Sequence, residues 1–356
     1  MALMRNRLVK MLKKNNFIIV AGTALLIIIT TGYMFDYKQD RHTNALRIMF
    51  YNVENFFDTI DSNLGDEEFL PVSPRKWNSY KYYRKLNNIF KAIALSCNDM
   101  NTPDIIGLCE VESVDILLDL CYKTHLSHEG YGCVISAGKD ERGINTALIY
   151  RKEKMCMISS ESWCPTYNDG TYMATRAVLY CRFKLRSDTL DVMVCHWPSR
   201  RGGAISSDKR RKMVAAYLRD KVDSLGPERK LLIMGDMNDE PYSESVKDIL
   251  GATMNPENEM RDKLVNTASD VNNEMGSYKY QGTWYNFDQI IISGLLYRSC
   301  RGLYYKRQSY RIVGEDALLT DDVSYKGYRP FGTWWGYNYE GGFSDHLPVT
   351  VELNFR

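Results

Sequence analysis

Two kinds of segment alternate along the chain. Short apolar runs, often β-branched, recur at Leu46–Val53, Asp104–Cys109, Asn145–Tyr150, Ala177–Leu185, Leu190–Cys195, Lys230–Met234, Phe287–Ile292 and Leu347–Leu353, and each reads as a strand. Between them, Tyr82, Leu86, Ile89, Phe90 and Ile93 recur at helical spacing, and Val214, Leu218 and Val222 mark a second helix. Lys209, Arg210, Arg211 and Lys212 fall in the first turns of that second helix. Cations there oppose the helix dipole, so some other demand places them. Several connections resemble hairpins rather than crossover helices. The pattern predicts an α/β (α+β) fold of mixed sheets covered by helices.

The first residues break this pattern. Residues 1–16 are basic, with Arg5, Arg7, Lys10, Lys13 and Lys14, and residues 17–35 form the uncharged run Phe17–Phe35. Such a run reaches about 28 Å as a helix, close to the hydrocarbon thickness of a bilayer. No polar face interrupts it, which argues against a core helix. Basic residues before the run and Asp36 after it predict a transmembrane signal anchor, with the N-terminus inside and the rest extracytoplasmic. A cleaved signal peptide is the alternative, and would make the protein secreted. Thr30 and Gly32 are poor cleavage positions, which favours the anchor. Residues 36–45 read as a polar tether, and residues 46–356 as one large domain.

Composition narrows the chemistry. The net charge of +2 over 356 residues gives no global attraction to polyanions, so a polyanion site must come from a local cluster. Nine cysteines include no CxxC pair and no zinc-type Cys/His spacing. Cys109, Cys181 and Cys195 lie inside strand-like runs, where a thiol behaves as a small hydrophobe. Cys121, Cys133, Cys156, Cys164 and Cys300 are free to form bridges in an exported domain, though sequence does not pair them. The expected state is a monomer.

Polar residues of a particular kind sit where these strands emerge. They are Asn52 in RIMFYNVENFFD, Glu110 in PDIIGLCEVE, His196 in VMVCHWPSRRGG, Asp236 and Asn238 in LLIMGDMNDEP, Asp288 in WYNFDQIIIS and Asp345-His346 in GGFSDHLPV. Hard oxygen donors suit magnesium, with manganese as a substitute, and Glu110 is the best placed ligand. Asp236 and Asn238 flank one residue, so both can face one site; an Asx-type turn ahead of a helix near Pro241 is the structural alternative. A histidine exchanges protons near neutral pH, and His346 needs a partner acid, for which Asp288 is available.

NVENFFD, IIGLCEVE, HWPS, GDMNDEP and SDHLPV, in this order, resemble the endonuclease/exonuclease/phosphatase superfamily, with its deoxyribonuclease-like metal-dependent phosphoesterases. The likeness spans Leu46 to the C-terminus. It implies a four-layer α-β-β-α sandwich of two mixed sheets flanked by helices, with the site at one sheet edge. It implies Asn52 and Glu110 as metal ligands, with Asp345 nearby. Asp236 and Asn238 would orient the attacking water and the phosphate. His346 with Asp288 would serve as base or phosphate-stabilising acid, and His196 would contact phosphate or protonate the leaving oxygen. Glu54 would stand near the metal or position Asn52. Arg176 is similar to a phosphate-contacting arginine of the deoxyribonuclease branch.

For substrate, Arg200 and Arg201 in SRRGG, with Arg142 in KDERG, supply a local basic cluster suited to backbone phosphates. Trp197, Trp334, Trp335 and nearby tyrosines offer stacking faces, and Tyr304–Gly342 reads as a long aromatic loop. The expectation is a magnesium-dependent phosphodiesterase, a membrane-tethered nuclease acting on nucleic acid. A sphingomyelinase-like lipid phosphodiesterase is the first alternative, and a catalytically silent phosphate-binding module the second.

Overall fold

The computed structural model describes residues 44–356, apart from 63–64, 98–100, 168, 187, 201–202, 256–262 and 271–274. The basic segment, the run Phe17–Phe35 and most of the tether lie outside the described residues. Among those described, no helix is long and apolar enough to cross a membrane. Ala45–Arg356 forms one unit.

In chain order the elements of its two sheets and their helices are β1 (Ala45–Phe56), α1 (Ser79–Leu95), β2 (Ile105–Val111), α2 (Val114–Tyr122), β3 (Tyr131–Ile135), β4 (Asn145–Arg151) and β5 (Cys156–Trp163). There follow β6 (Val178–Leu185), β7 (Asp188–His196), α3 (Ala204–Leu225), β8 (Leu231–Asp236), β9 (Ala252–Thr253), β10 (Leu264–Asn266) and β11 (Asp288–Ser293). The last are α4 (Gly294–Arg298), β12 (Leu303–Tyr305), β13 (Arg311–Ile312) and β14 (Val349–Phe355). The first sheet runs β12-β14-β1-β2-β4-β3, with β13 also on β14, and the second runs β5-β6-β7-β8-β11-β10-β9. Both are mixed. β1–β2 and β7–β8 are parallel pairs, each joined through a helix, and their neighbours run antiparallel.

β1, β2 and β4 face β6, β7, β8 and β11, so apolar side chains from both sheets meet in one core. Leu86, Ile89 and Ile93 of α1 and Ile116, Leu117 and Leu120 of α2 join that core. Val214, Ala215, Leu218 and Val222 of α3 pack with Met193 and Ile233 of the second sheet. The four-layer sandwich expected from the sequence is the fold. Central strands are buried along their whole length, which is why DIIGLC and LLIMG carry no alternation.

Two expectations change. No helix begins near Pro241; only a single π-type turn forms, at Ser245–Ile249. The aromatic stretch Tyr304–Gly342 is not one loop. It contributes β12, β13 and two short hairpins, Leu319–Asp321 with Tyr328–Pro330 and Trp334–Trp335 with Asn338–Tyr339.

Candidate active site

Strand register gathers the site. His196, Asp236 and Asp288 are direct cross-strand partners on β7, β8 and β11, so three polar side chains line up at the end of the second sheet. In the first sheet Asn52 pairs with Cys109, one residue before Glu110. Ladder irregularities fall at both places, between Asn52 and Phe56 and between Cys109 and Val111. Glu54, Asn55, Glu110 and Asn238 all have positive φ, a conformation that costs energy in residues other than glycine and concentrates at functional sites. Such bulges re-aim side chains that a regular strand would send elsewhere.

The Asp236 carboxylate is the hub. Its Oδ2 accepts from Asn52 Nδ2 (3.0 Å), a bond that crosses from one sheet to the other, and its Oδ1 accepts from the Asn238 backbone N–H (2.9 Å). His196 Nε2 lies 3.6 Å and His346 Nε2 3.8 Å from Oδ2. Asn238 Nδ2 donates to Trp197 O (3.1 Å), and the bond from Asn238 N–H to Asp236 Oδ1 makes the Asx-type turn. His346 Nδ1 donates to Asp288 Oδ2 (2.7 Å), which also accepts from Ser277 Oγ (2.6 Å), and the imidazole stacks on Tyr278. Tyr310 O–H donates to the Asp288 carbonyl (3.1 Å).

Across from the hub, Glu110 Oε1 is 3.8 Å from His196 Nε2, and Oε2 accepts from Asn55 N–H (2.7 Å). Glu54 is raised to about 8, by burial first and then by the charge of nearby Asp345. It accepts from Thr333 N–H (2.6 Å) and Trp334 N–H (3.1 Å), with the buried Lys85 ammonium 3.9 Å away. Its work is to hold the 333–334 backbone, and Asn52 Oδ1 accepts the Glu54 N–H (3.0 Å). Ser344 Oγ donates to Asn52 O (2.7 Å), which ties the Asp345-His346 pair to β1.

Environment separates the two imidazoles. Burial first, then the charges of Arg176 and Arg142, hold His196 well below the usual histidine range, so it is neutral. Burial alone would lower His346 too, but the charge and hydrogen bond of Asp288, with Asp236 and Asp345, raise it well above that range. Burial and the charge of Asp288 push Asp236 up to about 7, against the pull of His346 and the hydrogen bonds from Asn238 and Asn52. Asp345 is raised by burial and by the charge of Glu110, against the opposing pull of His346 and Lys85.

These crowded carboxylates fit a hard divalent cation. Glu110 and Asp345 bring negative charge together, and carboxylate oxygens of this kind suit magnesium. Asp236, Asp288 and His346 also approach one another within 4.8 Å. There His346 Nδ1 is engaged with Asp288 Oδ2 (2.7 Å).

The predicted arginines divide. Arg176 is buried between Trp197 O (2.5 Å, from Nη2) and Asp140 Oδ2 (3.2 Å, from Nη1). With Arg142, Arg210 and Ser199 it lines a cleft of about 290 Å³. Arg200 donates to Asn238 O (3.0 Å) and lies over the Phe287 ring, so it braces the loop after Asp236. Arg201 lies outside the described residues. Cations in the first turns of α3 find their demand here: Arg211 pairs with buried Asp239 (2.8 Å) and Lys212 with Glu244 (2.6 Å). Sequence reasoning missed Ser277, Tyr278 and Lys85. A buried lysine on the apolar stripe of α1 was the only signal among them.

Two mixed sheets between helices, with acids, an amide and two imidazoles at one shared edge, define an α-β-β-α sandwich of the phosphoesterase class. The chain belongs to the Endonuclease/Exonuclease/phosphatase family, whose model matches residues 47–355. Enzymes of that family are phosphoesterases and generally use divalent metal ions. No curated protein sequence matches the chain. Among solved structures, it is similar to an endonuclease/exonuclease/phosphatase family protein from Bacteroides thetaiotaomicron (19% identity, TM-score 0.56, covering 88% of this chain and 95% of that one). It is also similar to a mannosyl-6-phosphatase from the same organism (18%, 0.55, 87% and 100%). A third is D. rerio TDP2 complexed with single strand DNA product (16%, 0.54, 87% and 99%). At these identities the likeness is one of fold.

Proposed function

We propose that this protein is a magnesium-dependent phosphodiesterase that cleaves nucleic acid, held at a membrane by Phe17–Phe35 with its catalytic domain extracytoplasmic. The observation that carries the reading is the Asp236 hub, one carboxylate within 4 Å of two buried imidazoles whose surroundings shift them in opposite directions. Pairs of titratable groups whose surroundings push them apart mark acid and base assignments. A cation bound at Glu110, Asp345 and Asn52 supplies charge neutralisation at the phosphoryl oxygens.

The protein's own groups do the rest. Asp236, raised toward neutrality, accepts a proton from the attacking water, which Asn238 helps to place. His346 stays cationic against Asp288, so its Nε2–H donates to the phosphate rather than acting as base. His196, neutral and between Glu110 and Asp236, contacts the phosphoryl or leaving oxygen. Arg142 and Arg176, whose charges reach His196, and Arg210 in the same cleft favour a substrate with further phosphates along a backbone, against the carboxylates of Asp140 and Glu141 that line it too.

The test is a substrate panel with magnesium, manganese or EDTA, using the full chain in detergent. DNA, RNA, sphingomyelin vesicles and a sugar 6-phosphate cover the nuclease, lipid and monoester readings. Cleavage of DNA or RNA with magnesium is expected, lost in EDTA and reduced at least 10³-fold in Asp236→Ala. Nucleic acid left intact while another substrate is turned over would move the assignment to that class. No turnover of any phosphoester would leave only the silent binding module.

A further inference from the structure

We infer that Lys85 is a positioning residue for the proposed reaction, the centre of a clamp by which α1 sets the placement of Asp345 and His346. The inference rests on the reading of those two residues as site groups. Leu86, Ile89 and Ile93 make the buried face of α1 apolar, yet Lys85 is 1% exposed and Asn88 8%. An ammonium taken out of water is costly unless its three N–H groups find acceptors and its charge a partner. Lys85 Nζ donates to Thr333 Oγ1 and to Phe343 O (2.8 Å), and the Glu54 carboxylate 3.9 Å away answers its charge. Arg84 Nε donates to Gly341 O (2.9 Å), and Asn88 Nδ2 donates to Gly341 O (3.0 Å) and Gly342 O (2.7 Å). Three side chains of one helix thus hold three consecutive carbonyls.

That strap leads straight into the site. Ser344 comes next, its hydroxyl donating to Asn52 O (2.7 Å) and accepting the His346 N–H (3.2 Å). Every residue from Gly341 to Ser344 is therefore anchored to α1 or β1 before the chain reaches Asp345 and His346. On the other side a Cβ at Gly342 would lie 2.3 Å from Phe331 O and 2.4 Å from Gly332 O, so the strap has no room to retreat from α1. Stability alone does not call for this arrangement, because a well-packed apolar side chain often replaces a buried ion pair without loss. An apolar side chain at position 85 would not fix the Phe343 carbonyl by a directed bond. The imidazole it leads to has little latitude: Nδ1 meets Asp288 at 2.7 Å, Nε2 stands 3.8 Å from Asp236, and the ring lies 4.6 Å from that of Tyr278. A misplacement of about 1 Å at a reacting group costs on the order of 10²-fold in rate.

Asn88→Ala and Lys85→Met, made in the full chain in detergent at pH 7, test this against Ile89→Val, which loosens the same helix through core contacts alone. Lys85→Met leaves the buried Glu54 carboxylate without its counter-charge, so the double variant Glu54→Gln/Lys85→Met is made alongside, with Glu54→Gln as its reference. The clamp variants should lose about 10–100-fold in kcat while KM moves less than about 3-fold. Ile89→Val should lower the Tm and leave kcat unchanged. Turnover is read on whichever phosphoester the native protein cleaves, so an error in substrate class leaves this test standing. A second readout needs no activity: in histidine-labelled protein the His346 ring protons carry a ring-current shift from Tyr278. The clamp variants should move those resonances and Ile89→Val should not. If the native protein cleaved no phosphoester, the proposed function would fall and the ring shifts alone would decide the clamp. Unchanged His346 resonances and kcat in folded Asn88→Ala and in the double variant would overturn the inference. Equal losses in Ile89→Val would do the same, since the clamp would then be ordinary packing.

Discussion

Asp288 has no solvent exposure and makes its decisive contact with one atom, His346 Nδ1. Its charge is what keeps that imidazole protonated, since burial alone would drive the proton off. Asp288→Asn keeps the shape and removes the charge, so kcat should fall about 10²–10⁴-fold. The pH profile should change as well. In the native protein His346 is raised, so its active protonated form persists well above the ordinary histidine range. In the variant burial is opposed by less negative charge, so the imidazole's pKa falls and activity should decline at a lower pH than in the native protein. NMR titration of His346 alongside kcat checks this; an unchanged His346 titration would remove the charge argument. At this scale much of the site was legible, because each acid, amide or imidazole stands at the end of an apolar run. Ser277 was not, because it lies in a polar stretch and its bond to Asp288 is a matter of tertiary placement. Glu54 was legible as a polar residue on a buried strand, but its partners Thr333 and Trp334 lie 279 and 280 residues away.

Elements deliver those side chains only if neighbouring strands keep their spacing. Gly235 sits opposite Cys195, one step before the His196–Asp236 pair. A Cβ there would lie 2.4 Å from Cys195 O and 2.8 Å from Cys195 Cβ, so β7 and β8 would have to part. Gly235→Ala should therefore cost about 1–3 kcal/mol by urea unfolding and should also lower activity, since His196 and Asp236, proposed as catalytic, ride on the displaced strands. Gly107→Ala is the comparison. Its new methyl would meet the flexible Met234 side chain, which can swing aside, so stability should change less and activity little. Equal losses in the two variants would rule out the spacing argument. Strands buried on both faces were readable for the same reason that they are sensitive, since close packing demands continuous apolar residues. The edge strand β5 was not readable, because most of its residues are exposed and its existence rests on pairing with β6. Likewise α2 is short, and its four buried residues mark a helix only once the sheet they cover is known.

Polar links join the two sheets at both ends of β7. One is Asn52–Asp236 at the site; another lies at the opposite end of β7, where Asp188 begins the strand. Asp188 Oδ2 accepts from Lys230 Nζ (2.5 Å), just before β8, and from Leu303 N–H (2.7 Å), the first residue of β12 in the other sheet. Burial alone would raise this carboxyl, but the Lys230 hydrogen bond and the N–H groups of Leu303 and Thr189 outweigh it, so it stays below the usual range. A depressed carboxyl stabilises the fold above the unfolded-chain value of ~3.9, and that contribution disappears as pH falls through the lower folded value. Asp188→Asn should thus cost about 1.5–3 kcal/mol at pH 7, the range for a charge-assisted hydrogen bond. The gap between native and variant proteins in urea unfolding should narrow below pH 4, as the native carboxyl takes up its proton. Turnover at pH 7 should be unaffected, because the substitution touches neither the hub nor the strands' site ends. A stability gap that stays constant down to pH 3 would mean that Asp188 acts by shape and not by charge. A loss of activity in the still-folded variant would mean instead that the two ends of β7 are mechanically coupled, and that the far rivet helps to set the distance between His196 and Asp236.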